Sequence, residues 1–113
     1  MTKNNWIEEF DAAITVCNKE GVIIYMNKKA IATFDKYGGA KLKGTNVLNC
    51  HPESARSKLK EMLISEKSNI YTIEKEGIKK IIIQKPWYDK GKQNGIVEIS
   101  VEIPAQMEHF VRY

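Results

Sequence analysis

Val97, Ile99, Val101 and Ile103 alternate with Glu98, Ser100 and Glu102 near the end of the chain. A period of two marks a strand with one face buried and the other wet. The pattern predicts a strand over 95–103, stopped by Pro104, which has no N–H for a ladder. Two more strands are predicted over 69–76 and 78–88, joined by a tight turn at Gly77 and followed by a longer turn over 89–94. Near the N-terminus, 13–17 and 22–26 are rich in β-branched residues, and Asn18-Lys19-Glu20-Gly21 reads as the turn between them.

Between the two groups of strands the period changes. Ala55, Leu59, Met62 and Leu63 fall at i, i+4, i+7 and i+8, one apolar stripe of a helix predicted over 52–67. Pro52 suits the first turn, and Glu53 suits the positive end of the helix dipole. Asn27 can cap a second helix over 28–36 that turns Ala30, Ile31 and Phe34 inward. A short helix is predicted over 5–11, with Asn5 as cap, Glu8 at the capping-box position and Trp6 and Phe10 on one face. Residues 104–113 form a tail carrying Met107, Phe110 and Val111. For the helices to share a core, both strand groups must join one sheet, which makes the chain α+β.

Composition narrows the function classes. The 113 residues, 42% hydrophobic and 28% charged, fit one globular domain, 1–113, with an N-terminal helix (1–11), a core (12–103) and the tail. No apolar run approaches the ~20 residues that span a bilayer, and the first residues lack the layout of a signal peptide, so a cytoplasmic protein without membrane contact is expected. The net charge of +4 comes almost wholly from lysines spread among acids, with Arg56 and Arg112 the two arginines. Nucleic-acid binding calls for a clustered basic face, so none is expected. Cys17, Cys50, His51 and His109 show no paired spacing for zinc, and no metal site is expected. No nucleophile-elbow, phosphate-loop or dinucleotide motif occurs, so a binding module is expected rather than an enzyme.

The stretch "AAITVCNKEGVIIYMNKKA", with Asn27 and Ala30 as N-x-x-A, then Phe34, then Leu42 and Gly44 as L-x-G, resembles the opening of PAS sensor domains. The likeness runs from about residue 6 to 103. Asn18 stands where many members have Asp, and Glu102-Ile103-Pro104 replaces the common D-I-T junction. Cys50-His51-Pro52 resembles a C-H-P run found in a subset of the family. The resemblance implies a five-stranded antiparallel sheet in the order β-β-α-α-α-β-β-β, with helices on its concave face. It implies a small-molecule pocket between the two, walled by Phe34, Leu48, Leu59, Leu63, Ile83, Val97 and Ile99. The plainer reading is that these residues pack solidly and the domain serves dimerisation alone.

A third reading takes His51 as the axial ligand of a haem; the plainer role for that histidine is a hydrogen bond at the start of its helix. The flavin-adduct run G-x-N-C-R-F-L-Q is not matched around Cys50. Trp6, Ile7 and Phe10, with Met107, Phe110 and Val111, exceed what the edges of so small a domain can bury. A homodimer built on the two ends of the chain, with Trp6, Ile7 and Phe10 at the interface, is therefore expected, with a signalling partner protein implied by the resemblance.

Overall fold

The structure, a computed structural model, describes residues 5–47 and 53–113. The chain runs β1 (Ala13–Asn18), β2 (Ile23–Met26), α1 (Lys28–Thr33), two 3-10 turns (Asp35–Tyr37 and Gly39–Leu42), α2 (Glu53–Ser65), β3 (Asn69–Lys75), β4 (Ile78–Asp89) and β5 (Lys92–Ile103). The five strands form one antiparallel sheet in the order β2-β1-β5-β4-β3. Closing β1 against β5 joins the two strand groups, as a shared core requires.

One buried side chain organises the N-terminal half. Asn27 is fully buried. Its Oδ1 accepts from the Ala30 N–H, which caps α1, and from the Ile14 N–H, both at 3.0 Å. Its Nδ2 donates to the carbonyls of Ile7 and Ala12, both at 2.9 Å. Two donors and two acceptor positions are thus all used, the condition for burying an amide at little cost. Ala30, whose N–H is capped by Asn27 Oδ1, is fully buried in the cluster under α1.

The same bonds explain a departure from expectation. Residues 5–11 form consecutive turns rather than a helix, with Glu8 N–H bonded to Asn5 O and Phe10 N–H to Ile7 O. The Glu8 carbonyl accepts the Lys28 N–H, and the Ile7 carbonyl is shared between the Phe10 N–H and Asn27 Nδ2, so the segment is tied to Asn27 and Lys28. Helix α1 is also shorter than expected and tightens into the 3-10 turn at Asp35. Residues 105–113 carry no regular element.

Both C-terminal hairpins turn on two residues. Glu76 and Gly77 have φ of 54° and 82°, and Lys90 and Gly91 have 53° and 82°. Positive φ at both central positions matches the twist of the flanking strands. The expected long turn over 89–94 is therefore tight, and β5 begins at Lys92. A bulge follows: Tyr88 pairs with Gln93, whereas Trp87 pairs with Gly95. Beyond it the register sets Gln84 opposite Glu98 and Ile83 opposite Ile99. Pro86 sits past the last β3 pairing, at Gln84, so its missing N–H costs the sheet no bond to β3.

The interior is divided. Ala13, Ile23, Met26 and Ala30 form one buried cluster under α1. Cys17, Leu59, Met62 and Ile96 form another under α2, and Val47 touches both. The stripe expected on α2 is thus the buried one at Leu59 and Met62, with Leu63 half-buried. The C-terminal end of α2 is tied to the β4–β5 hairpin. Gln93 Nε2 donates to Met62 O at 3.2 Å, and Tyr88 Oη donates to Glu66 Oε1 at 3.0 Å.

Candidate functional site: a cavity between sheet and helices

Between the two clusters lies a cavity of about 880 Å³. Its floor is the inner face of the sheet and its roof comes from α1, the 3-10 turns and α2. Thr15, Ile82, Glu98 and Ser100 line the floor, Tyr71 and Ile73 one side, and Phe34, Tyr37, Leu42 and Leu59 the roof. Apolar surface predominates, with a few polar groups converging from neighbouring strands, which is the general make-up of small-molecule sites.

The polar groups are held by a ladder across three strands. Asn69 Nδ2 on β3 donates to Gln84 Oε1 at 3.1 Å, and Gln84 Nε2 on β4 donates to Glu98 Oε1 on β5 at 2.7 Å. Gln84 is almost fully buried. With its oxygen engaged by Asn69, its amide can present only N–H groups to Glu98, which fixes the carboxylate against the floor. The charge is felt around it. Burial first, then the Glu98 carboxylate, pushes the Tyr71 phenol above its ordinary range. Burial also raises the Cys17 thiol, with Glu98 adding to the effect, so this cysteine is held in its neutral form.

Of the expected wall residues, Phe34 and Leu59 line the cavity. Leu63 packs against the α2 cluster instead. Ile83, Val97 and Ile99 lie on the opposite face of the sheet. Ile82, Ile96 and Glu98 face the cavity, and successive side chains of a strand alternate. The cross-strand pair Ile83–Ile99 is therefore an outer-face pair. Leu48 and the whole Cys50-His51-Pro52 run lie outside the described residues. Among the described residues no group of His, Cys, Asp and Glu is placed to hold a metal ion. Trp6 and Phe10 stack edge to face at 5.7 Å and stand exposed, while Ile7 is half-buried.

Reading the sequence missed Thr15, Tyr71, Glu98 and Ser100 because a polar residue on a strand is first taken to face water. The usable signal was register. Two tight turns pin β3, β4 and β5, and counting outward from them groups the inward residues once the bulge is known.

No family model and no curated protein matches this sequence. Solved structures do. The PAS domain of BvgS from Bordetella pertussis aligns with a TM-score of 0.63 and 18% identity, over 90% of this chain and 84% of its own. The fold is the PAS fold. The PAS domain of an HTR-like protein from Haloarcula marismortui aligns at 0.61 and 14% identity, over 87% and 86% of the two chains. The Aer2 receptor from Vibrio cholerae, described as a dual PAS-heme oxygen sensor, aligns at 0.62 and 19% identity, over 82% and 95%. The PAS fold accounts for the five-stranded sheet and for the position of the cavity against its inner face. Among the described residues no helix is long and apolar enough to cross a membrane.

Proposed function

We propose that this domain is a sensory module that binds a small organic molecule between sheet and helices and passes its occupancy on by protein contact. The carrying observation is the divided core. Two small buried clusters flank about 880 Å³ of space where a purely structural domain would pack side chains at crystal-like density. Support comes also from the neighbours of the same fold, which include sensor histidine kinases and a receptor. The reading contains no catalytic step.

Relay is assigned to the N-terminal segment. Trp6 and Phe10 offer exposed aromatic surface, and Ile7 O, Ala12 O and Ile14 N–H all meet at Asn27 beneath the edge of the sheet. A second copy of the chain is the proposed occupant of that aromatic surface. Haem ligation would rest on His51, outside the described residues. No described histidine lines the cavity, and the Cys17 thiol that does line it is held neutral, so the proposal is built on an organic ligand.

Nile red, an uncharged dye that brightens in apolar surroundings, tests the cavity. Saturable one-to-one binding is expected for the parent, and its loss in Ser100→Phe, which fills the floor. Equal binding by a Ser100→Phe variant with unchanged circular dichroism would place the dye elsewhere and contradict the proposal.

A further inference from the structure

We propose that the cavity selects an organic cation, an amine carried on an aromatic or other apolar body, with Glu98 as its counter-ion. This inference rests on the ligand-cavity reading above and names the chemistry of its occupant.

Glu98 lines the cavity and is half-buried. One carboxylate oxygen accepts from Gln84, and no cation lies within ion-pairing distance among the described residues. An ionised carboxylate offers about four acceptor positions, so most of its capacity is left over after the Gln84 bond. Removing such a group from bulk water is costly unless a positive partner is supplied. The ladder from Asn69 through Gln84 holds it in place all the same.

The other charged group on this floor is Lys80. It pairs across the strands with Glu102, whereas Glu98 pairs with Gln84, four residues further along β4. That is roughly 13 Å of strand. Lys80 also lines a second, small polar cavity of about 90 Å³ together with Asp11, Lys29 and Glu102. There Lys29 is ion-paired with Asp11 at 3.2 Å, and two acids balance two bases. Among the described residues the Lys80 end is thus compensated, and Glu98 is left as the uncompensated charge of the site.

The surroundings of Glu98 suit an ammonium group. Thr15 lies directly opposite on β1 and Ser100 two residues along, both facing the cavity, so hydroxyl oxygens flank the carboxylate. An ammonium has three N–H donors to spend on such acceptors. Tyr71 on the floor side and Phe34 and Tyr37 on the roof supply aromatic faces, which attract cations and pack flat apolar bodies. An anionic ligand would meet Glu98 with like charge.

Displacement of Nile red by three indoles of matched body decides the matter. They are tryptamine, protonated at neutral pH, tryptophol, which is neutral, and indole-3-propionate, an anion. Tryptamine is expected to displace the dye at a concentration about tenfold or more below that of the other two, the worth of one charge-assisted hydrogen bond. Glu98→Gln keeps an oxygen for Gln84 and removes the charge, and it should bring tryptamine to the level of tryptophol. Glu98→Asp should retain the preference. If tryptamine displaces no better than tryptophol, including the case where neither displaces, the amine assignment is overturned while the cavity reading stands. Survival of the preference in Glu98→Gln overturns it as well. If Nile red itself fails to bind, or binds Ser100→Phe equally, the cavity reading falls and takes this one with it.

Discussion

Asn27 shows how much one side chain can fix. Its role as a helix cap is legible from sequence, since an Asn precedes a helical stretch. Its bonds to Ile7, Ala12 and Ile14 reach back 13 to 20 residues and are not legible, because no local pattern announces them. Asn27→Ala leaves buried backbone groups unpaired and removes a cap. Urea unfolding should show a loss of at least about 2 kcal/mol. Asn27→Asp keeps the two accepted bonds but sets a buried carboxylate oxygen against the Ile7 and Ala12 carbonyls, so it should cost at least as much as Asn27→Ala. Tyr25 gives a prediction in pH. Dehydration, then the hydrogen bond it donates to Glu8 at 2.7 Å and the charge of that carboxylate, raise its phenol from 10.0 to about 12. The folded state then holds this proton more tightly than the unfolded chain. The resulting stability is complete below pH of about 10 and is lost as pH rises toward about 12. Stability measured across that window should decline less steeply in Tyr25→Phe than in the parent. An equal slope would remove Tyr25 from the account.

At the scale of elements, periodicity located the strands but not their faces. The alternation over Val97–Ile103 is real, yet its apolar side faces away from the helices, while Glu98 and Ser100 face inward. The reason lies in the bulge between β4 and β5, which shifts the pairing by one residue and joins Ile83 to Ile99 on the outer face. Three consecutive isoleucines, Ile81, Ile82 and Ile83, leave β4 without an alternation to arbitrate. Helix α2 was more legible, because a 3.6-residue stripe names its own buried side. Leu59→Ala, in the cluster with Cys17, Met62 and Ile96, should cost ~2–5 kcal/mol in chemical denaturation. A loss under about 1 kcal/mol would mean that α2 is not seated on the sheet as described. Gly95 marks another element-level constraint. Its φ is 145°, and a Cβ there would overlap the Cys17 carbonyl oxygen on the neighbouring strand β1. Trp87 Nε1 donates to that same oxygen at 2.9 Å, reaching β1 across the strand between them. Gly95→Ala should therefore unfold well below the parent in a thermal melt, and Trp87 fluorescence should report the loss.

At the scale of the molecule, the described residues place a cavity between two buried clusters on one face of the sheet. Element order anticipated one shared α+β sheet, and the resemblance supplied its five antiparallel strands with helices on one face. The cavity's chemistry was not anticipated, because Thr15, Tyr71 and Glu98 come from three strands and meet only through register. Dimerisation belongs to this scale. Sedimentation equilibrium at micromolar concentration should give twice the chain mass of 13.0 kDa, falling to one chain in a Trp6→Glu, Phe10→Glu variant that stays folded. A parent mass of one chain would remove the proposed relay surface and leave the cavity untouched. The central claim, that the inner face of the sheet receives a ligand, is tested most directly by isoleucine methyl spectra during a Nile red titration. Ile23, Ile82 and Ile96 line the cavity, whereas Ile81, Ile83 and Ile99 lie on the far face. The account predicts saturable shifts in the first three methyl groups with the last three nearly still; shifts concentrated in Ile81, Ile83 and Ile99, or in none of the six, would contradict it.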